Sequence, residues 1–299
     1  MTRRIVVALV LLLMVSMGSA VALTSPPGLL SFLDRAMGGG TGVERVGKGL
    51  AFGGHGQTLD VWRPVGPAEK RPVLIFWYGG GWADGNRRAY GFAARAFAKA
   101  GFVVVVPDYR KVPQIRFPAM LQDGADAVKW TRDHIADFGG DPTRIALSGH
   151  SAGAYTVAML TLDQRWLQAV GVDPRIVKAA APLCGPYDFY PWTSDRARAA
   201  FQDAADPAMT QPITFARADA PPMLLVTGTA DTTVRPRNAI RLAARLKALG
   251  APVDVKNYPG QTHEGIAMAL SVPFRARAPV LADSVAFLKE KLAQAPAAQ

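Results

Sequence analysis

An α/β fold, with a mainly parallel sheet covered by helices on both faces, is predicted by three features of this 299-residue sequence. Short, wholly apolar runs recur along it, among them "RPVLIFWY", "GFVVVVPDY" and "PPMLLVTG". Stretches with helical spacing alternate with these runs, and strands covered by helices on both faces read as continuous apolar segments. Glycine and proline mark the boundaries, as at Gly79-Gly80-Gly81 and Gly250.

The first element is a leader. "MTRRIVVALVLLLMVSMGSAVA" (1–22) has a basic start, an apolar run from Ile5 to Val15 and small residues at Ala20-Val21-Ala22. That is the layout of a secretory signal, with cleavage after Ala22. An uncleaved membrane anchor is the alternative, because Ile5–Leu23 nearly matches a bilayer. Export to the periplasm or medium is expected, with membrane association through this segment if it stays. Residues 23–45, rich in Gly, Ser and Pro, read as a linker.

One domain is expected over 46–293, followed by a tail at 294–299. "QTLDVWRP" alternates like a half-buried strand and "RPVLIFWY" is a buried one. A helix near Arg87–Ala100 leads to "GFVVVVPDY", and a longer one, Phe117–Phe138, leads to a strand at Ile145–Leu147. Tyr155, Ala158, Met159 and Leu162 then mark one helix face. "RIVKAAAPLC" and "PPMLLVTG" are strands separated by an aromatic, turn-rich insertion at about 187–220, read as a small cap. Helix Pro236–Leu249 carries a proline in its first turn. "PVDVKNYPG" is the last strand and Ser284–Leu292 a closing helix.

Composition excludes several function classes. With 49% hydrophobic and 19% charged residues the chain can bury a large core. Its net charge of +11 is scattered, with no basic block interleaved with aromatics, so nucleic acid is not an expected partner. The single cysteine, Cys184, rules out an intramolecular disulfide and lies in an apolar run. Four histidines and one cysteine, none at ligand spacing, argue against a metal, and no cofactor is called for.

The chemistry concentrates in "IALSGHSAGAYTVAML", where an apolar strand turns into a helix through Gly-His-Ser-Ala-Gly. A strand-to-helix corner of this kind presents Ser151 above the helix N-terminus, whose free amides favour a developing anion. The pentapeptide alone is a weak signal in a glycine-rich chain. A serine nucleophile needs a base, and the base an orienting acid. His263 in "GQTHEG" and Asp231 in "TADTTV" both fall at the carboxyl ends of predicted strands, where such sheets place their chemistry. "WYGGGW" supplies side-chain-free backbone, so Gly79 and Gly80, with Ala152, are the expected oxyanion donors. His150 is expected to pack beside the corner. Trp82, Tyr187, Phe189, Tyr190 and Trp192 are candidates to line an apolar substrate pocket.

From about Gly56 to Leu292 the chain resembles the hormone-sensitive-lipase-like branch of the α/β-hydrolases, which includes carboxylesterases and feruloyl-esterase-like enzymes. The resemblance rests on "LDVWRP", "YGGGW", "VVPDYR", "FPAMLQDGADAVKWTRDHIADFGGDPTRIALSGHSAG", "GPYD", "PPMLLVTGTADTTV" and "THEG". It implies an α/β-hydrolase fold with a cap after the sixth strand, a Ser151-Asp231-His263 triad, and a small-molecule ester substrate cleaved through an acyl-enzyme. Two departures stand out: Tyr78 occupies the usual histidine of the oxyanion motif, and Gly153-Ala154 replaces the usual glycine pair. An amidase or peptidase-like hydrolase is the rival activity, and a non-catalytic binding module on the same fold the rival class.

Overall fold

The computed structural model describes residues 25–67 and 69–294. The expected leader at 1–22 and residues 295–299 of the expected tail lie outside them. Eight strands form one sheet: β1 (Val43–Phe52), β2 (Gln57–Pro64), β3 (Arg71–Trp77), β4 (Val103–Pro107), β5 (Gly140–His150), β6 (Val177–Leu183), β7 (Met223–Gly228) and β8 (Val253–Tyr258). Their order is β1-β2-β4-β3-β5-β6-β7-β8. The pairs β1–β2 and β2–β4 are antiparallel and all others parallel. Val73 to Trp77 and Val103 to Pro107 are buried throughout, which is why these strands read as unbroken apolar runs.

The helices are α1 (Pro26–Asp34), α2 (Gly91–Lys99), α3 (Ala119–His134), α4 (Ala152–Leu162), α5 (Arg165–Ala169), α6 (Asp195–Phe201), α7 (Arg237–Ala248), α8 (His263–Met268) and α9 (Val280–Gln294). The chain reverses direction across the sheet at β3, between its neighbours β4 and β5. Right-handed crossovers therefore put α2 on one face and α3 and α4 on the other. Helix α9 returns to pack with α2, so both faces are covered, as expected. The insertion after β6 is present, with α6 and short 3₁₀ turns at Pro207–Thr210 and Pro212–Phe215.

The expected linker is the main correction. Within 23–45 the chain forms α1 and begins β1. Ser25 caps α1, its hydroxyl accepting from the Gly28 amide at 3.3 Å, and Pro26 and Pro27 occupy the first turn. Leu30, Ser31 and Asp34 are buried. The Asp34 carboxylate bonds Arg95 of α2 at 2.8–2.9 Å and accepts the Val272 amide at 2.8 Å. The glycines that suggested flexibility instead turn the chain from α1 into β1, with Gly38 at φ +85° and Gly42 at φ +77°. Strand β1 escapes a period-two reading because register shifts at Arg45/Gly47 and Gly47/Leu50 break its alternation.

Candidate active site

The corner at Ser151 is built by close backbone packing. Ser151 sits between β5 and α4 at φ +56°, ψ −119°, a costly conformation for a residue with a side chain. The end of β3 passes directly beneath it. A Cβ on Gly149 would lie 2.7 Å from the Trp77 carbonyl oxygen, and one on Gly153 only 2.1 Å away. The two flanking glycines are thus required by the contact with β3, and the strained turn holds the Ser151 side chain at the head of α4.

Asp231 lies on the loop after β7 and His263 opens α8 at the end of the loop after β8, and the two loops are tied together by their backbones. The Thr229 amide donates to the Tyr258 carbonyl at 3.0 Å and the Ala230 amide to Gln261 at 3.1 Å. One Asp231 oxygen accepts the Thr233 and Val234 amides at 3.0 and 2.8 Å, which fixes the carboxylate. The other meets His263 Nδ1 at 2.8 Å. Burial pushes the Asp231 carboxyl up, but hydrogen bonds from His263, Val234 and the Cys184 thiol outweigh it and leave the group below the usual carboxylate range. Asp231 is therefore ionised at neutral pH, with His263 held in one tautomer by its Nδ1–H.

Ser151 and His263 open into one cavity of about 390 Å³, shared with Gly80, Gly81, Trp82 and Phe189. The glycine backbone facing this space is Gly80-Gly81 instead of Gly79-Gly80. Gly79 is wedged behind, where a Cβ would lie 3.0 Å from His150 Nδ1 and 3.1 Å from Ser151 Cβ, and its amide faces the Tyr90 hydroxyl. Gly80 takes φ +140°, and a Cβ there would lie 2.1 Å from the Asp84 carbonyl oxygen, so this position needs glycine; Gly81 takes φ +59°. Ala152 follows Ser151 at the first turn of α4, where amides have no helical partner. Tyr78 is buried behind the loop, stacked on Tyr109 at 4.8 Å.

Of the aromatic pocket candidates, Trp82 and Phe189 line the cavity and three do not. Tyr187 is wholly buried, its amide held by Asn238 Oδ1 at 2.9 Å. Tyr190 is 54% exposed and pairs with Trp192, which leans on Phe201 from outside the cavity. Phe201, absent from the candidates, closes the aromatic cluster under Trp82 at 4.7 Å between ring centroids. Arg196 of α6 reaches the Gly80 carbonyl at 3.1 Å and pairs with Asp84, anchoring the cap to the glycine loop.

His150 has a larger part than packing. Its Nε2–H donates to the His263 carbonyl at 3.0 Å, so its Nδ1 accepts from the Tyr90 hydroxyl at 3.1 Å. Tyr90 and His150 thus connect the glycine loop to the backbone of His263. His150, Cys184 and His263 place ligand atoms within 4.8 Å of one another. Both His150 nitrogens are engaged, and the thiol, pushed up chiefly by burial and next by Asp231, stays protonated. These residues fit a hydrogen-bond network better than a metal site.

Burial first, and His263 next, push His150 down to about 3. An unfolded histidine titrates near 6.5, so between these values the unfolded chain binds a proton that the folded one refuses. The stability from neutral His150 is complete above about pH 6.5 and is lost toward pH 3, at about 1.4 kcal/mol per pH unit. Urea unfolding from pH 7 to 4 should therefore show a shallower acid loss in His150→Gln than in wild type. Parallel curves would rule out this coupling.

A family model for BD-FAE matches residues 59–246. The chain belongs to the BD-FAE family. Among curated relatives, the esterase LipC of Mycobacterium tuberculosis is 33% identical over 230 residues, covering 69% of this chain and 56% of that one. The esterase LipQ of the same organism is 30% identical over 253 residues, covering 77% and 59%. Its carboxylesterase NlhH is 29% identical, covering 73% of each. This BD-FAE family member thus spans under three fifths of LipC and LipQ. Among solved structures, esterase 2 of Thermogutta terrifontis phosphonylated by sarin superposes with a TM-score of 0.70 at 23% identity, over 84% of this chain and 95% of that one. A truncated carbohydrate esterase from gut microbiota gives 0.68 at 21%, covering 79% and 91%. Both share the α/β-hydrolase fold expected from the sequence.

Proposed function

We propose that this protein hydrolyses carboxylic esters through an acyl-enzyme formed on Ser151. The observation that carries the reading is the meeting of Ser151 and His263 in one cavity, with the imidazole held at 2.8 Å by a fixed Asp231 carboxylate. His263 Nε2 takes the hydroxyl proton as Ser151 Oγ attacks the ester carbonyl. The amides of Gly80, Gly81 and Ala152 receive the oxyanion, and Asp231 stabilises the imidazolium. As the C–O bond breaks, His263 returns the proton to the leaving alcohol. It then deprotonates water, which attacks the acyl-enzyme and frees Ser151 and the acid. Relatives named as esterases and carboxylesterases support the same reaction class.

Assaying p-nitrophenyl butyrate beside the butyryl anilide tests this. Ester turnover that saturates, with the anilide far slower, is expected. Preferred anilide cleavage would move the assignment to an amidase, and failure to cleave either would favour a binding module.

A further inference from the structure

A second cavity adjoins the catalytic one, and its wall is the helix that the sequence presented as linker. It measures about 460 Å³ and is lined by Leu29, Leu30 and Leu33 of α1 and by Met268 and Phe274 from the chain after His263. Tyr90, His150 and Glu264 line both cavities and form the border between them. Glu264, on the rim, is the one charged residue among the groove's described lining residues. Leu33 is 39% exposed and Leu29 partly so. Apolar side chains left open beside a catalytic cavity form a surface suited to an apolar ligand group.

We propose that this groove is the alcohol-side subsite, taking an extended alkyl group carried on the leaving oxygen. The inference rests on the acyl-transfer reading above, because the proton path sets its direction. The leaving oxygen must face His263, which protonates it, while the carbonyl carbon sits against Ser151. Glu264, Ala267 and Met268 belong to α8, the helix that His263 begins, and all three line the groove. A chain leaving the ester oxygen on the His263 side crosses Glu264 and enters between α1 and α8. The acyl chain runs the other way, toward Trp82 and Phe189.

Alkyl butyrates from ethyl to octyl, followed by acid release, test the groove in wild type and in Leu29→Trp and Met268→Trp, which narrow it from opposite walls. In wild type kcat/KM should rise with alcohol length, by up to about fourfold per methylene buried. The octyl-to-ethyl ratio should fall at least about tenfold in each variant, the equivalent of about two methylenes. An unchanged ratio in both variants overturns the proposal. So does a loss that follows acyl length instead, seen with ethyl octanoate against ethyl butyrate. Calorimetry of 1-octanol with Ser151→Ala separates the two readings, because binding needs no turnover. If wild type cleaves no ester yet octanol binds, and each tryptophan in that background weakens it, the groove stands and the acyl-transfer reading falls. Octanol that fails to bind, or binds the tryptophan variants equally, overturns the groove.

Discussion

Ser151→Ala should lower ester turnover by about 10⁴-fold or more, because removing one member of a triad disables the unit. The missing hydroxyl is the only nucleophile proposed at the cavity, and neither His263 nor Asp231 can replace it. The fold should survive. Alanine at φ +56° carries much the same backbone strain as serine, and the Gly149 and Gly153 contacts with Trp77 are untouched. Steady-state kinetics with a matched thermal melt checks both halves. Near-wild-type turnover by a well-folded variant would place the nucleophile elsewhere, and a variant that does not fold would refute the claim that only chemistry is lost.

The largest expected effect on stability lies far from Ser151. Asp34 is 1% exposed and Arg95 5%, and α1 reaches the body of the protein through this pair. Asp34→Ala leaves the guanidinium buried with only the Ser31 oxygens as acceptors, and strips the Val272 amide of its partner. Breaking a buried pair on one side costs about 3–5 kcal/mol, whereas replacing both partners with apolar groups can be close to neutral. Urea unfolding should therefore show a loss of that order in Asp34→Ala and a much smaller one in Asp34→Leu/Arg95→Met. A loss under about 1 kcal/mol for the single variant, in the range of exposed pairs, would show the contact to be solvent-screened. A chain begun at Val46 would forfeit the same pair together with the first residues of β1, so activity without residues 25–45 is not expected.

The candidates Ser151, Asp231 and His263 were legible because each follows an apolar strand and carries a group that a serine hydrolase would use. The glycine loop was legible as a loop but not in register. Three consecutive glycines look alike, and only the fold shows Tyr78 stacked on Tyr109 with the Gly79 amide facing Tyr90. The cap aromatics failed for a related reason. Tyr187, Tyr190 and Trp192 are aromatic like Phe189, and only the packing of the insertion decides which ring meets the cavity. Helix α1 was hidden more deeply, since Asp34 and Gly39 look like solvent-facing turn residues until Arg95 and Val272 are brought to them.

The bond between Asp34 and Val272 joins residues 238 positions apart. At roughly 5–20 residues per second, a ribosome needs on the order of ten seconds or more to connect them. Throughout that interval the carboxylate has no amide to accept, and the leucines of α1 have neither Met268 nor Phe274 opposite them. The nucleophile's strand and helix can form before this happens, since Gly140–Leu162 emerges more than a hundred residues earlier. Synthesis thus delivers the nucleophile's strand and helix first, while Asp231, His263 and the apolar wall come later, when α1 docks on residues of the final quarter.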